Sequence, residues 1–232
     1  MSAYGAIARD VLTDPLPATF WGIQRHPSTY VTLHHLTAPI AKSLPGLMEY
    51  LAAVMAKEIE DGLTYPQETM HPDAFEAYFF SGDVFLAIAH TGTIGGPENS
   101  ETDLTIEEAK QGRAWEECIA GYFYVKPNYP GRSSHICNGG FVVPPQHRGR
   151  GYGSALAKSY VHYAPKLGYR ASVFNLVYTN NTASVRLWEG LNFKKAGLIP
   201  KAGRLRRRNG DGEEYVDAWV IYKSFVDDGS PA

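Results

Sequence analysis

Apolar and polar residues alternate along the chain in a pattern that predicts strands and helices in mixed order. Short apolar runs rich in β-branched and aromatic residues are typical of strands, and apolar residues spaced three and four apart are typical of helices. Strands are expected at 28–37, 83–89, 117–126, 135–143 and 171–178, helices at 43–62, 72–80, from about Gly151 and at 182–191, and a hairpin around Asn-Gly-Asp-Gly at 203–225. Ser43 is the expected cap of the first helix, with Pro45 in its first turn.

The segment between the second and third strands is rich in glycine and charge. We therefore expect residues 91–114 to be a loop insertion carrying a short helix. Residues 1–40 are interpreted as an N-terminal extension and first strand, and the whole chain, 1–232, as a single domain.

Composition and charge exclude several classes of partner. The 232 residues carry a formal net charge of -2, so neither nucleic acid nor an anionic membrane is an expected partner. No apolar run approaches the roughly 20 residues that cross a bilayer, and the first residues lack the features of a secretory signal. Cys118 and Cys137 are too few for a disulfide framework or a zinc quartet, so no metal is expected. We expect a cytoplasmic protein, with mitochondrial access left open.

The stretch VVPPQHRGRGYGSAL, residues 142–156, places a glycine-rich turn between a strand and a helix. Backbone N–H groups at a helix N-terminus bind anions, typically phosphate, and glycines allow the phosphate to come close. Arg148 and Arg150 flank the turn and can add positive charge. The turn lacks the lysine of a Walker loop, and Ser154 stands where a dinucleotide-binding fingerprint has its third glycine. A diphosphate with a long tail along the strand fits this pattern better.

This turn resembles the cofactor-binding motif of the GNAT acetyltransferases, with Arg148, Gly151 and Gly153 in the matching places. The segment NTASVRLWEGLNF, residues 181–193, resembles a second motif of that superfamily, and the order of elements agrees. The resemblance implies an α/β fold of the α+β type, in which helices flank a central twisted mixed sheet with splayed fourth and fifth strands. It also implies that acetyl-CoA is the cofactor and that its pantetheine arm runs beside Gly139 to Val143. The cofactor-binding residues implied are Phe141, Val142, Val143, Arg148, Gly149, Arg150, Gly151, Tyr152, Gly153, Ser154 and Asn181.

A narrower resemblance links residues 62 to 218, without the loop at 91–114, to the fungal N-acetyltransferases that detoxify azetidine-2-carboxylate, a proline analogue. The stretches that carry it include GLTYPQ, GYFYVKPNYPGRSSHICNGGF and FNLVYTNNTASVRLWEGLNFKKAGLIPKAG. It implies a small-molecule amine as the partner. The substrate-binding residues implied are Asn138, Phe141, Asn175 and Leu176.

The catalytic residues expected are three asparagines. Asn138 and Asn175 lie on the two strands that splay in this fold, and Asn181 opens the following helix, where it also suits a helix cap. An amide can orient an amine or bind a carboxylate but has no useful basicity. Proton removal is therefore left to water, a backbone carbonyl or a histidine such as His135.

Two further features concern the geometry of the expected pocket and the identity of the general acid. Asn138 and Phe141 fall on opposite faces of a regular strand, and Gly139-Gly140 between them predicts a bulge that turns both toward one pocket. Trp188 stands where many GNAT enzymes have a tyrosine acid, and an indole cannot take that role.

Three function classes remain open from the sequence. One is an N-acetyltransferase of small proline-like amino acids, acting by direct attack in a ternary complex. The second is an acetyltransferase of protein or peptide amines, and the third is a CoA-binding module without catalysis. The aromatic C-terminal strand is a candidate interface for a homodimer, by analogy with related enzymes.

Overall fold

The computed structural model describes residues 14–226, apart from the side chains of residues 72 and 73. Within that range the chain forms one mixed β-sheet with helices on both faces. The strands are β1 (Ala18–Gly22), β2 (Thr29–Leu36), β3 (Asp83–Thr91), β4 (Glu101–Thr102), β5 (Ile119–Pro127), β6 (Ile136–Val142), β7 (Ala171–Tyr178), β8 (Lys194–Arg206) and β9 (Glu213–Ser224). The α-helices are α1 (Ala38–Ser43), α2 (Leu47–Asp61), α3 (Pro72–Phe79), α4 (Ile106–Lys110), α5 (Trp115–Cys118), α6 (Tyr152–Lys166) and α7 (Thr182–Gly190).

The strands lie in the order β4-β1-β2-β3-β5-β6-β7-β9-β8. Their pairings are antiparallel except that between β6 and β7, which is parallel. These two strands pair at Ile136 with Ala171 and at Cys137 with Ser172 and then separate, within the described part of the chain. β6 continues along β5 while β7 continues along β9, so a gap opens in the middle of the sheet. The expected splayed pair is confirmed, and the gap exposes one edge of β6.

Apolar side chains cover both faces of the sheet. On one face, α6 and α7 pack against β5 and β7 through buried residues such as Leu156, Tyr160 and Trp188. On the other, α2 and α3 pack through Leu51, Met55 and others against Tyr122 and Tyr124. Alternate residues of β5 therefore enter different cores, which explains why the strand is apolar nearly throughout.

The predicted beginning of the first helix was wrong. Ser43 is the last residue of α1, and its hydroxyl donates to the carbonyl of Ile40 instead of capping the next helix. Helix α2 begins after Gly46, whose φ of 75° suits glycine. A separate strand, β1, was missed in the N-terminal extension. The remaining expected strands and helices occur near their predicted positions, and β8 begins at Lys194, well before the expected hairpin.

The bulge predicted on β6 is also absent from the described strand. The pairing of β5 with β6 runs without a break from Tyr122 and Val142 to Pro127 and Cys137. The presence of glycine at positions 139 and 140 has a different explanation. A Cβ at Gly139 would lie 2.8 Å from the ring of Tyr160, and one at Gly140 would lie 2.6 Å from the ring of Tyr124. The irregularity instead lies on β7, between Phe174 and Val177.

No helix of the described residues is long and apolar enough to span a bilayer.

Candidate active site

A cavity of about 1920 Å³ extends from the glycine-rich turn to the gap between β6 and β7. Gly149, Gly151 and Gly153 line one end, and Asn138 and Asn175 line another part of it. A bound molecule can therefore contact the turn and the gap at once. We call this space the main cavity.

The turn before α6 has the conformation expected of a phosphate site. Gly149 and Gly151 adopt positive φ values of 77° and 90°, a conformation that glycine adopts without strain. Helix α6 begins directly afterwards at Tyr152 and runs for 15 residues. Around Gly149 and Gly153, a Cβ would meet no atom within 4 Å. The helix N-terminus is thus open to an anion, and these residues fit the diphosphate of acetyl-CoA.

The flanking arginines are placed differently from each other. The Arg148 guanidinium forms an ion pair with Glu58 and donates to the carbonyl of Val143 at 3.3 Å. It lines the main cavity and links the turn to α2. Arg150 and Tyr152 instead line a smaller pocket of about 350 Å³. For Arg148 and Arg150, a contact with phosphate therefore stays a prediction.

The edge of β6 beside the gap can hold the pantetheine arm. Its backbone lacks a partner strand beyond Cys137 within the described residues, so this edge faces the gap. The carbonyls of Phe141 and Val143 accept long side-chain hydrogen bonds, from Tyr65 at 3.4 Å and Arg148 at 3.3 Å. Phe141 and Val143 line the main cavity, whereas the Val142 side chain is buried on the α2 face. A part for Val142 in cofactor binding would therefore fall to its backbone.

Three asparagine side chains meet at the point where the strands separate. The Asn128 carbonyl oxygen accepts hydrogen bonds from the amides of Asn138 and Asn175, each at 2.7 Å. The Asn128 amide in turn donates to the Asn175 carbonyl oxygen at 3.2 Å. We call Asn128, Asn138 and Asn175 the asparagine cluster. Asn128 is only 5% exposed, whereas Asn175 faces the cavity.

Asn128 was missed by the sequence reasoning. It follows β5 in the stretch Pro-Asn-Tyr-Pro-Gly, a composition typical of a turn. Its backbone N–H does bond across the turn, to the carbonyl of Ile136 at 2.8 Å. The residues themselves carry no signal that its side chain points into the gap.

The irregularity on β7 explains how Asn175 reaches the cluster. Asn175 and Leu176 lie between the paired residues Phe174 and Val177, outside the regular ladder with β9. Both are exposed and both line the main cavity. The structure therefore brings Asn138, Asn175 and Leu176 to one cavity, and their binding of a substrate stays a prediction.

Phe141 lies on the opposite face of β6 from Asn138. Its ring stacks on Phe123 at 5.2 Å and contacts Tyr160 and Trp188, on the α6 side of the sheet. It still lines the main cavity, because the gap is open to both faces. Phe141 thus forms part of the wall, without sharing a face with the asparagine cluster.

Asn181 caps α7, and its side-chain oxygen accepts from the backbone N–H of Ser184 at 3.2 Å. It also lines the main cavity. The cap is established, and a catalytic or cofactor-binding role for Asn181 stays a prediction. His135 is exposed and is not among the residues that line the main cavity.

Trp188 is buried at 5% exposure among aromatic rings. Its ring centroid lies 4.6 Å from that of Phe174, 5.0 Å from Phe193 and 5.1 Å from Phe141. Packing of this kind is what stabilises the α7 side of the gap.

Lys126 is a second residue that the sequence reasoning missed. It is half-buried, lines the main cavity and lies opposite Asn138 in the pairing of β5 with β6. Burial lowers the pKa of its ammonium group from 10.5 to about 8. A single lysine near the end of a strand has no distinguishing pattern in the sequence, because such positions are commonly exposed to solvent.

Known proteins resemble this chain in sequence and in fold. The family model for the acetyltransferase (GNAT) family matches residues 97–193. The chain is 42% identical to N-acetyltransferase aca1 of Schizosaccharomyces pombe over 185 residues, which is 79% of this chain and 83% of that protein. It is 30% identical to Protein SPT10 of Saccharomyces cerevisiae, over 95% of this chain and 38% of that protein.

Solved structures show the same fold. The structure of yncA from Salmonella typhimurium with its cofactor acetyl-CoA superposes with a TM-score of 0.60 at 14% identity, over 87% of this chain and 98% of that chain. The chain belongs to the GNAT acetyltransferase family. It is an acetyl-CoA-dependent N-acetyltransferase. Among the described residues, no group of three or more histidine, cysteine, aspartate or glutamate side chains is arranged to hold a metal ion.

Proposed function

We propose that this enzyme acetylates the amine of a small amino-acid-like substrate, and that a proline analogue such as azetidine-2-carboxylate is its substrate. The observation that carries the proposal is the asparagine cluster, which lies at the gap and faces the cavity that also contains the glycine-rich turn. The 42% identity to N-acetyltransferase aca1 supports acetyl transfer to nitrogen.

The hydrogen bonds within the cluster determine which donors and acceptors remain for a substrate. The Asn128 oxygen uses both lone pairs on its two neighbours, so Asn128 holds the other two amides in place. Asn138 keeps its carbonyl oxygen and one N–H, and Asn175 keeps one N–H and part of its acceptor capacity. These two N–H donors and the acceptor capacity of the Asn138 and Asn175 oxygens can therefore orient a secondary amine and its carboxylate.

Neutral amides also affect the charge of the substrate nitrogen. An adjacent carboxylate would stabilise the protonated amine, whereas neutral dipoles do so much less. Among the described side chains, the carboxylates that line the main cavity are Glu58 and Asp61, and both lie near the Arg148 guanidinium. The cluster therefore favours the unprotonated, nucleophilic amine, and solvent can take its proton.

Acetyl-CoA supplies the thioester-bound acetyl group when it is bound. The protein would hold the diphosphate of the cofactor at the N-terminus of α6, through Gly149, Gly151, Gly153 and Ser154. The open edge of β6 would pair with the pantetheine arm. Leu176 and Phe141 then form apolar walls at the gap. With both substrates fixed, direct attack in a ternary complex needs no covalent enzyme intermediate.

The test is acetyl-CoA-dependent thiol release with azetidine-2-carboxylate, proline, acyclic amino acids and short peptides. The proposal predicts that a cyclic amino acid has the highest kcat/KM. If peptides or protein N-termini are the better substrates, the enzyme belongs to the second class, of protein acetyltransferases.

Two subsidiary proposals concern the setting of the enzyme. We propose that it acts in the cytoplasm. We also propose a homodimer through the C-terminal hairpin, because Leu198 and Ile199 are exposed on β8, which is an edge strand of the described sheet.

A further inference from the structure

Lys126 lies beside the asparagine cluster on the same face of the sheet. Its Cα is paired with that of Asn138 across β5 and β6, and it precedes Asn128 by two residues. Side chains paired in this way across neighbouring strands point to the same side of the sheet. Lys126 therefore faces the part of the main cavity where the proposed amine is held.

Aromatic rings surround the ammonium group of Lys126. It lies 4.2 Å from the ring centroid of Tyr124 and 4.5 Å from that of Tyr78. Its hydrogen bonds, to the Tyr78 carbonyl and the Ser81 hydroxyl, are long at 3.4 Å. The faces of the two aromatic rings attract the cation electrostatically, but the rings carry no net charge that would neutralise it.

No carboxylate compensates this charge among the side chains that the structure describes. The lowered pKa of Lys126 has burial as its cause. The other lysine that lines the main cavity, Lys158, is paired with Glu98 at 2.9 Å. A half-buried cation without a counter-ion is unfavourable, and an anionic ligand would relieve that cost.

We infer that Lys126 is the anion-binding residue of the amine site, and that it selects amines carrying a carboxylate next to the nitrogen. The inference rests on the proposed function, because it names the substrate group that this site recognises. An amino acid brings its carboxylate one carbon away from its nitrogen. The amine can then contact the asparagine cluster while the carboxylate meets Lys126 in a charge-assisted hydrogen bond.

The experiment compares azetidine-2-carboxylate with azetidine-2-carboxamide, which keeps the ring and the nitrogen but lacks the charge. The ratio of the two kcat/KM values is measured for the wild type, Lys126→Met and Lys126→Arg. Because the ratio is taken within one sample, it does not depend on the folded fraction. We expect the wild type to prefer the carboxylate, Lys126→Met to lower that ratio by about tenfold or more, mainly through KM, and Lys126→Arg to keep most of it.

Lys158→Met is the matched control, since Lys158 lines the same cavity but is already paired. Its ratio should equal that of the wild type. If Lys126→Met has too little activity, the dissociation constant of azetidine-2-carboxylate for the CoA-loaded protein gives the same comparison, with about tenfold weaker binding expected.

A Lys126→Met enzyme with the wild-type ratio and wild-type affinity would overturn the inference. So would an equal loss of kcat on both substrates, because that result would make Lys126 a proton acceptor. A wild type that acetylates other amines but neither azetidine compound contradicts the proposed substrate instead. The ratio is then measured on an accepted amino acid and its amide.

Discussion

Asn128 and Asn175 form a reciprocal amide pair, in which each side chain donates to the carbonyl oxygen of the other, at 3.2 and 2.7 Å. Asn128 follows β5 and Asn175 lies on β7, so the pair spans the strand between them. It ties together the two sides of the gap and fixes the direction in which the amides face the cavity.

Replacing Asn128 should therefore act through its two neighbours. We expect Asn128→Ala to lower kcat/KM for the amine by about tenfold or more, while the dissociation constant of acetyl-CoA changes little. Because Asn128 positions Asn175, the double variant Asn128→Ala/Asn175→Ala should lose much less than the product of the two single losses. Full multiplicativity of the losses in steady-state kinetics would show that the two residues act independently.

Asn209→Ala, in the exposed hairpin turn, is the matched control and should keep the kinetics of the wild type. A thermal melt of each variant separates a loss of positioning from a loss of folding.

The glycine-rich turn is best tested at Gly153. Gly151 is less suitable, because its φ of 90° would strain any replacement. Gly153 lies in the first turn of α6, and a Cβ added there would have no atom within 4 Å, so a side chain meets only the space proposed for phosphate. We expect Gly153→Val to raise the acetyl-CoA dissociation constant by about tenfold, or about 1.4 kcal/mol, as measured by calorimetry.

Gly190→Val, in α7, is the control, since a Cβ there also meets no atom within 4 Å. It should leave acetyl-CoA binding as in the wild type. Unchanged binding in a folded Gly153→Val protein would place the diphosphate elsewhere.

Trp188 should matter for stability more than for proton transfer. We expect Trp188→Phe to keep activity within about tenfold, about 1.4 kcal/mol in barrier, because a smaller ring still packs against Phe174 and Phe193. Trp188→Ala should cost about 3–5 kcal/mol in the free energy of unfolding, as measured by urea denaturation. A loss of several hundredfold in kcat for the phenylalanine variant, with intact cofactor binding, would assign chemistry to the indole N–H.

Two buried histidines make stability depend on pH. Burial lowers the pKa of His34 and of His90 from 6.5 to about 4, with the charge of Arg113 adding to the effect at His90. A ring nitrogen of each histidine meets the Thr32 hydroxyl, at 2.8 Å for His34 and 3.0 Å for His90. Between pH 6.5 and 4 the unfolded chain binds more protons than the folded one, so stability should fall as the pH falls through this range.

Thermal melts at pH 7 and pH 5 measure this effect. The variant His90→Gln, which keeps a polar side chain that does not titrate, should show a smaller decrease in Tm between the two values. An equal decrease in both proteins would mean that His90 is not responsible.

The sequence predicted the elements whose signal is local. Strand β7 was placed at its observed bounds, and the glycine-rich turn was placed directly before α6. Prediction failed where contacts between distant segments of the chain determine the local structure. Gly139 and Gly140 are glycines because the rings of Tyr160 and Tyr124 pack on them. From the sequence alone, a bulge explains the two glycines equally well.

The same limit applies to the site. Asn138 and Asn175 were found through a family resemblance. Asn128 required the side-chain hydrogen bonds of the structure, and Lys126 required the pairing of β5 with β6. A buried asparagine in a turn cannot be recognised from the sequence, because the turn has the same residue pattern whichever way the asparagine side chain points.

The most direct test of the asparagine cluster as the amine site is the kcat/KM of Asn175→Ala and Asn138→Ala for azetidine-2-carboxylate, measured with the acetyl-CoA dissociation constant. We predict that each variant lowers kcat/KM by about tenfold or more, about 1.4 kcal/mol, and binds acetyl-CoA like the wild type. Folded variants that both keep the full kcat/KM of the wild type would contradict the account.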